Sequence, residues 1–256
     1  QEMDRWLGKV ALVTGASAGV GAAISEKLVE AGLKVVGVAR RTKVLDELAQ
    51  KLSSKKGKFF PYTGDVSKED DIIKAFSWTK ENVGPASVLI NNAAVLLLED
   101  LSSITTQHLK QEFDINVISV CIANREAIKQ MKENNIAGHI ININSIAGHK
   151  VMNFPKLNVY AATKHAVSAL TETLRLEQSN QKTNIKVTSI SPGAIVTEMM
   201  MNVSKEMGMP IENPEEIEKV AALSAKDIAD SVYYVLSTPP HVNITELTIQ
   251  VVGETA

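Results

Sequence analysis

The sequence is poor in the features that mark secreted, membrane-spanning or nucleic-acid-binding proteins. It has one cysteine, Cys121, which excludes an internal disulfide and favours a reducing compartment. No apolar run approaches the length of a membrane span and no secretory signal is visible, so we expect a cytoplasmic location. The net charge of -2 gives no electrostatic reason to expect nucleic acid or an anionic membrane as a partner.

Signs of a second domain or of a metal centre are also missing. No Pro/Gly/Ser-rich linker and no internal repeat divides the 256 residues, so we predict a single domain over residues 1–256. That length suffices for one large hydrophobic core. The histidines show no spacing typical of metal ligands, and we expect no metal.

What the chain does contain is an alternation of short apolar stretches with stretches of helical periodicity. The strand-like stretches are residues 10–13, 34–39, 59–62, 87–90, 138–144, 185–190 and 246–251. This alternation predicts an α/β fold, a single doubly wound (Rossmann-type) parallel sheet with helices on both faces. Ligands of such sheets bind beyond the carboxyl ends of the strands, so the residues that directly follow the strands are the candidates for a site.

Three local predictions concern helices. The segment Ser67-Lys68-Glu69-Asp70 resembles a capping box at the start of the third helix. Residues 105–131 predict either two helices or one bent helix. The polar, methionine-rich stretch 197–223 has no clear periodicity, and we assign no element to it.

The segment from Thr14 to Gly21, Thr-Gly-Ala-Ser-Ala-Gly-Val-Gly, lies between the first predicted strand and the first predicted helix. At a helix N-terminus the free backbone N–H groups can bind a phosphate, and glycines let that phosphate come close. Tight turns also need glycine, so a purely structural role is the alternative. The order of strand, turn and helix favours a dinucleotide site.

The residues after the second and third strands bear on which dinucleotide binds. A carboxylate at the end of the second strand would bond the ribose hydroxyls and repel a 2′-phosphate, but Arg40 and Arg41 stand there instead. Guanidinium groups suit phosphate oxygens, so we predict NADP in preference to NAD; the alternative is a solvated loop. Asp65, after the third strand, is expected either to accept a hydrogen bond from the adenine amino group or to serve only the entry into the next helix.

Tyr160 and Lys164 are four residues apart on a predicted helix, which places both side chains on one face, one turn apart. A free tyrosine has a pKa of about 10, and we expect the neighbouring ammonium to lower it toward neutrality. Ser145 follows the fifth strand at the same sheet edge, and its hydroxyl can hold a carbonyl or alcohol oxygen. Taken alone, a Tyr–Lys pair at this spacing is common and usually structural.

These motifs together resemble the short-chain dehydrogenase/reductase family, over nearly the whole chain. The family's motifs are matched in order by Thr14-Gly15-x-x-x-Gly19-x-Gly21, Asn91-Asn92-Ala93, Asn116, Ser145, Tyr160-x-x-x-Lys164 and Pro192-Gly193. One departure is Ala94, where the family usually has glycine; its small side chain predicts a slightly shifted loop and retained function. The resemblance implies hydride transfer between a nicotinamide cofactor and an alcohol or carbonyl group.

The resemblance also implies a role for each site residue. Tyr160 is the general acid or base at the reacting oxygen, and Lys164 tunes it and bonds the nicotinamide ribose. Ser145 orients the substrate oxygen, and Asn116 supports a water that relays protons toward Lys164. The residues expected to bind NADP are Gly15, Ser17, Gly19, Val20, Gly21, Arg40, Arg41, Asp65, Val66, Asn92, Ala93, Tyr160, Lys164, Pro192, Gly193, Ile195 and Thr197.

A narrower resemblance concerns the substrate. Residues 4–6, 32–37, 138–145 and 235–239 resemble a group of the family that includes the insect farnesol dehydrogenases. This implies a lipophilic alcohol or carbonyl substrate, either an isoprenoid such as farnesol or a ketosteroid. The alternatives are a steroid (3-keto or 17-keto) or general carbonyl reductase and, outside enzymes, a catalytically silent cofactor-binding sensor.

The substrate pocket and the assembly are the last expectations. The stretch of about 195–223 holds five methionines, flexible side chains suited to a mobile lid over an apolar substrate. An ordinary buried helix or a dimer contact is the alternative. As in the family, the long predicted helices over 116–131 and 159–178 imply a homodimer or homotetramer.

Overall fold

The computed structural model describes residues 3–208 and 222–254, and its main feature is a seven-stranded parallel sheet. Its strands are β1 (Val10–Thr14), β2 (Lys34–Ala39), β3 (Lys58–Thr63), β4 (Ala86–Asn91), β5 (His139–Ile143), β6 (Lys186–Pro192) and β9 (Glu246–Ile249); β7 (Ile195–Val196) and β8 (Leu223–Ser224) form a separate parallel pair. The order is β3-β2-β1-β4-β5-β6-β9 with every pair parallel. The predicted doubly wound α/β fold is thereby confirmed, and its strand order reverses between β1 and β4.

Helices cover both faces of the sheet. They are α1 (Gly19–Glu30), α2 (Thr42–Lys51), α3 (Glu69–Asn82), α4 (Thr106–Phe113), α5 (Ser119–Glu133), α6 (Tyr160–Asn180), α7 (Glu198–Glu206) and α8 (Ala225–Ser237). Side chains of successive strand residues point to opposite faces. Ala11 and Val13 therefore pack against α1, α2 and α8, whereas Val10 and Leu12 pack against α3 and α5. Because both faces are covered, every residue of β1, β4, β5 and β6 is buried, and the first of these strands is a nearly continuous apolar run.

The segment 105–131 belongs to one continuous helical run and not to two separate helices. Between α4 and α5 the chain forms a π-helical turn, Asp114–Ile118, which contains Asn116. Such turns widen a helix by one residue and occur often at functional sites. The irregular turn therefore coincides with one of the residues predicted to be catalytic.

The predicted capping box at Ser67 is wrong. Helix α3 begins at Glu69 with Lys68 at its cap position, and no side-chain cap forms among the described residues. The Ser67 hydroxyl and backbone N–H both donate to Asp65 Oδ1 instead, at 2.8 and 3.0 Å. Asp65 precedes Ser67 by two residues and so competes for the groups that the capping box would have used.

Part of the predicted lid lies outside the described residues. The described portion comprises β7, α7, a turn that ends at Gly208, and β8, while Met209 and the rest of 209–221 are not described. Within the described ranges, no helix has the length and apolar character needed to cross a membrane. The single-domain and lid assignments stay predictions.

Candidate active site

A cleft of about 690 Å³ lies at the carboxyl edge of the sheet, where the strand order reverses. The predicted site residues that line it are Gly15, Ser17, Gly19, Val20, Arg40, Arg41, Asp65, Val66, Asn92, Ala93, Tyr160, Lys164, Ile195 and Thr197. The predicted residues outside this lining are Gly21, Asn116, Ser145, Pro192 and Gly193. The sheet topology thus brings segments far apart in the sequence to one cleft, with several predicted residues supporting it from behind.

The three glycines of the first turn have different tasks. A Cβ on Gly21 would lie 2.2 Å from the Gly15 carbonyl oxygen, so Gly21 permits close packing within the turn. A Cβ on Gly15 would come within 2.9 Å of Asn92 Nδ2, and its φ of +66° favours glycine. Gly19, with a φ of +51°, has only Thr197 side-chain atoms near its Cβ position, at 3.5 Å or more, so it leaves space open at the cleft.

The start of α1 fits the pyrophosphate of a dinucleotide. No described side chain caps its first backbone N–H groups, and its first turn, which begins at Gly19, contains no acidic residue. Free N–H groups and the positive end of the helix dipole attract an anion there. Together with the open space over Gly19, these groups can hold a nicotinamide dinucleotide by its phosphates.

Asn92 fastens the turn to the neighbouring strand. Its Nδ2 donates to the carbonyl oxygens of Thr14 and Gly15, at 3.1 and 3.3 Å. In return, Thr14 Oγ1 accepts from the backbone N–H groups of Asn92 and Ala93, at 3.0 and 3.1 Å. The Asn92 amide is therefore committed to holding the ends of β1 and β4 together, and this fixes the width of the cleft.

The arginine pair lies on one rim of the cleft, as the sequence predicts, but one arginine already has an anionic partner. Arg41 donates from Nη1 and Nη2 to the two carboxylate oxygens of Glu198, both at 3.1 Å, and from Nε to Ser17 Oγ at 3.2 Å. Sequence reasoning missed Glu198, whose signal was an acidic residue directly after the predicted Thr197. Arg40 lines the same rim.

Asp65 serves the entry into α3 and also lines the cleft, and its contact with the adenine amino group stays a prediction. Its Oδ1 accepts from Ser67, which organises the entry into α3, and its side chain also borders the cleft. Burial by itself would raise the pKa of Asp65, but the hydrogen bonds from Ser67 and the nearby Arg40 outweigh it and lower the pKa. Asp65 is therefore an anion near neutral pH and can accept a hydrogen bond.

Lys164 lies one helical turn from Tyr160, with its Nζ 5.8 Å from the tyrosine ring centroid. The side chain is 4% exposed, and burial lowers its pKa to about 8. Among the described residues, its Nζ donates a hydrogen bond to the Ile143 carbonyl oxygen alone, at 3.2 Å. Two of the three ammonium protons are therefore free for groups that enter the cleft.

The pKa of Tyr160 moves in the direction opposite to the expected one. Burial raises it to about 12, Glu112 adds to the rise, and a hydrogen bond with Ser145 opposes it. The expectation that Lys164 lowers this pKa is wrong for the chain alone, because burial disfavours the charged forms of both groups. Tyr160 is consequently a neutral phenol that can donate its proton to a substrate oxygen.

Asn116 and Ser145 do not line the cleft themselves, but Ser145 hydrogen-bonds to Tyr160, which does. The Asn116 amide exchanges two hydrogen bonds with the Val95 backbone, each 2.8 Å, and donates to Thr163 Oγ1 at 3.1 Å. Ser145 Oγ accepts from the Ala147 backbone N–H at 3.1 Å, which starts the short 3₁₀ turn there. With its side-chain amide committed in this way, the proton-relay role of Asn116 stays a prediction.

Glu112 and Asn158 are two residues that sequence reasoning missed. The Glu112 side chain is fully buried on α4, and its Oε1 accepts from the Leu97 backbone N–H at 2.8 Å. Asn158 donates to the Leu97 carbonyl oxygen and accepts from the Val159 backbone N–H. These bonds join the 95–97 wall of the cleft to the residue before Tyr160, a link that no local sequence pattern announces.

Pro192 and Gly193 end β6 behind the cleft. The Gly193 N–H donates to the Ile249 carbonyl oxygen at 2.7 Å. A Cβ on Gly193 would lie 2.2 Å from Glu254 Oε2, and Glu254 Oε1 accepts from the Ala194 N–H at 3.0 Å. A side chain at this position would therefore have to displace the Glu254 carboxylate, which lies at the end of a flexible side chain.

Comparison with known proteins agrees with this geometry. The model of the short chain dehydrogenase family matches residues 9–208. The chain belongs to the short-chain dehydrogenase/reductase family. It is therefore an NAD(P)-dependent oxidoreductase that acts on alcohol or carbonyl groups.

Individual relatives are similar over nearly their whole length. A farnesol dehydrogenase of Aedes aegypti is 45% identical, covering 98% of this chain and 99% of the relative. Dehydrogenase/reductase SDR family member 11 of Homo sapiens is 42% identical, covering 96% and 95%. Among solved structures, the closed form of serine dehydrogenase complexed with NADP⁺ has a TM-score of 0.85 at 28% identity, covering 96% of each chain. The narrower resemblance seen in the sequence is thereby confirmed.

Proposed function

We propose that this chain is an NADP(H)-dependent oxidoreductase for a lipophilic alcohol or carbonyl compound, an isoprenoid alcohol such as farnesol or a ketosteroid. The observation that carries the proposal is the cleft itself. At one end it has Arg40 and Arg41 where an NAD-binding chain would place a carboxylate, and at the other it has Tyr160 beside Lys164. The serine dehydrogenase structure named above supports the choice, because it is a complex with NADP⁺.

The substrate class follows from the cleft walls and from the relatives. Val95, Leu96, Leu97, Met199 and Val203 line the cleft and offer mainly apolar surface. Apolar walls with few polar groups suit a lipophilic molecule whose oxygen reaches Tyr160. The relative named a farnesol dehydrogenase, at 45% identity, supports an isoprenoid alcohol within this class.

The chemistry divides between the cofactor and the side chains. The nicotinamide, when bound, supplies or accepts the hydride. Tyr160 donates its proton to the substrate oxygen in reduction and removes a proton in oxidation, while Ser145 holds that oxygen in place. Lys164 presents its remaining ammonium protons to the cofactor ribose and lowers the cost of a phenolate once a ligand covers the pair. Positioned proton transfer of this kind contributes about 10²–10⁴-fold to a rate.

Several features of the proposal concern the surroundings of the reaction. The lid predicted over about 195–223 belongs to the proposal, and its described part supports it because α7 lines the cleft with Met199 and Val203. The cytoplasmic location and the homodimeric or homotetrameric assembly remain predictions from the sequence.

The test is a turnover screen with the purified chain and matched cofactors. We expect oxidation of farnesol with NADP⁺, or reduction of ketosteroids with NADPH, at a kcat/KM at least about tenfold above that with NAD(H). The ratio of kcat/KM for farnesol and for 3-keto and 17-keto steroids separates the isoprenoid role from the steroid alternative. A higher kcat/KM with NAD(H), or turnover confined to small hydrophilic alcohols, would contradict the proposal.

A further inference from the structure

The salt bridge between Arg41 and Glu198 joins the two sides of the cofactor cleft. Arg41 follows β2 on the adenosine side, and Glu198 is the first residue of α7, on the side of the proposed lid. Both carboxylate oxygens of Glu198 bind the Arg41 fork at 3.1 Å, and the third donor, Nε, is bound to Ser17 Oγ at 3.2 Å. Both charged residues line the same cleft.

A carboxylate held in this way takes the place of a phosphate. Arginine binds carboxylate and phosphate groups with the same pair of parallel N–H bonds, so the two anions compete for one fork. A carboxylate next to a 2′-phosphate would also repel it, because both carry negative charge. The free chain thus satisfies Arg41 with an internal anion at the point where the proposed cofactor carries its extra phosphate.

We propose that Glu198 is a specificity-determining residue, an internal competitor that the 2′-phosphate of NADP must displace from Arg41. This inference rests on the proposed preference for NADP. It predicts that Glu198 reduces the advantage of NADP over NAD that the arginines alone would confer. NAD, which lacks the 2′-phosphate, can bind with the Arg41–Glu198 pair intact.

The size of the effect follows from exposure. The Arg41 and Glu198 side chains are 46% and 57% exposed, so water screens the pair and displacement costs little. Exposed ion pairs of this kind contribute little to stability. We therefore expect the loss of the pair to change the dissociation constant of NADP⁺ by about two- to fivefold. Thr197 Oγ1 caps α7 by accepting a hydrogen bond from the Met200 N–H. Because this bond does not involve Glu198, α7 can stay folded when the Glu198 side chain separates from Arg41.

A different role for the Arg41–Glu198 pair predicts the opposite change in cofactor affinity. If the pair instead closes over the bound cofactor, the Arg41–Glu198 bridge stabilises the complex. Removing the carboxylate would then weaken the binding of NADP. The sign of the change in affinity therefore decides between competition and closure.

The experiment measures dissociation constants of NADP⁺ and NAD⁺ by calorimetry for the wild type, Glu198→Gln and Glu172→Gln. Glu172 is the matched control, because it binds Arg175 through two bonds of 2.7 Å on the exposed face of α6. We expect Glu198→Gln to bind NADP⁺ about two- to fivefold more tightly with NAD⁺ unchanged, and Glu172→Gln to change neither. Unchanged or weaker NADP⁺ binding by Glu198→Gln would overturn the inference.

A further variant separates this inference from the proposed function. Arg41→Gln should weaken NADP⁺ binding and leave NAD⁺ binding unchanged, because it removes the phosphate partner. If Arg41→Gln weakens NADP⁺ binding but Glu198→Gln has no effect, only the role of Glu198 is wrong. If Arg41→Gln leaves NADP⁺ binding unchanged, Arg41 is not a source of NADP preference, and the inference about Glu198 fails with it.

Discussion

Two buried lysines at opposite ends of the sheet show how the same group can serve stability or chemistry. Lys164, at the carboxyl edge, is 4% exposed, and Lys186, at the amino-terminal end of β6, is 7% exposed. Burial lowers the pKa of each to about 8, and for Lys186 the nearby Arg5 contributes. Within residues 3–208 and 222–254 their hydrogen bonds differ: Lys186 Nζ has three oxygen acceptors on Thr238 and Pro239, while Lys164 Nζ has one, the Ile143 carbonyl oxygen.

The surroundings explain this difference. Lys186, Arg5 and Trp6 all donate to carbonyl oxygens at or just after the end of α8, where a helix leaves such oxygens without partners. At the amino-terminal edge of the sheet, the cations thus hydrogen-bond to the free carbonyl groups at the end of α8. In the part of the chain that the structure describes, the Lys164 ammonium has protons without acceptors beside the Tyr160 phenol in an open cleft. This arrangement lowers stability but makes the two groups reactive. The number of satisfied protons, more than burial or pKa, separates the structural lysine from the catalytic candidate.

The largest expected difference is in turnover. Lys164→Met should lower kcat/KM by about 10²–10⁴-fold, because it removes the ammonium that we propose supports the phenolate and binds the cofactor. Lys186→Met should keep kcat within about threefold of wild type, since Lys186 lies at the other edge of the sheet. Steady-state kinetics with NADPH and a ketone substrate measure both. Equal losses of kcat/KM in the two variants would contradict the distinction between a catalytic and a structural lysine.

Stability should show the reverse order. Lys186→Met also removes a buried ammonium but leaves acceptors on Thr238 and Pro239 unpaired, so its free energy of unfolding should lie about 1–3 kcal/mol below that of Lys164→Met. Lys164→Met should raise the free energy of unfolding at pH 7, because an ammonium with a pKa of about 8 is held in a buried place. Urea unfolding of both variants provides the comparison. A large destabilisation by Lys164→Met would contradict the view that its ammonium is held at a cost.

The pH dependence of the Lys164→Met gain has a definite sign. The folded pKa of about 8 lies below the ordinary value of about 10.4, so the unfolded chain binds more protons between these two pH values. The cost of Lys164 is therefore complete below pH 8, about 3 kcal/mol as an upper bound, and disappears as the pH approaches 10.4. Unfolding of both proteins at pH 7 to 10 should show the difference shrinking. A constant difference would contradict the lowered pKa.

A smaller effect is expected from the buried carboxyl behind the cleft. Glu112→Gln keeps an acceptor for the Leu97 N–H but removes a negative charge that raises the pKa of Tyr160. The high-pH limb of the rate profile should therefore move to lower pH, with kcat changed by less than about tenfold. Glu112→Ala also removes the hydrogen bond that holds the Leu97 N–H in the 95–97 wall of the cleft, so this variant should raise KM in addition. Superimposable profiles for wild type and Glu112→Gln would exclude this influence.

The parts of the molecule that sequence could predict are those with local or periodic signals. The bounds of β2 were predicted to the residue, because its apolar run is closed by Lys34 and Arg40. Tyr160 and Lys164 share a face by helical spacing alone. The turn between β1 and α1 follows from the order of a strand, glycines and a helix.

What sequence could not predict depends on contacts made across the fold. Glu198 reaches Arg41 across 157 residues, so nothing near either residue in the sequence reveals the pair. The capping box predicted at Ser67 does not form, because the Ser67 hydroxyl donates its hydrogen bond to Asp65 instead. The direction of the Tyr160 pKa depends on burial, which a spacing of four residues does not determine.

The central claim is that Tyr160 transfers the proton in an NADP(H)-dependent reaction, and one variant tests it most directly. Tyr160→Phe keeps the ring but removes the hydroxyl, so kcat should fall by about 10²–10⁴-fold while the dissociation constant of NADPH changes less than about threefold. Both values come from one preparation, by NADPH oxidation and by fluorescence titration. A kcat close to that of the wild type, with NADPH still bound, would contradict the account.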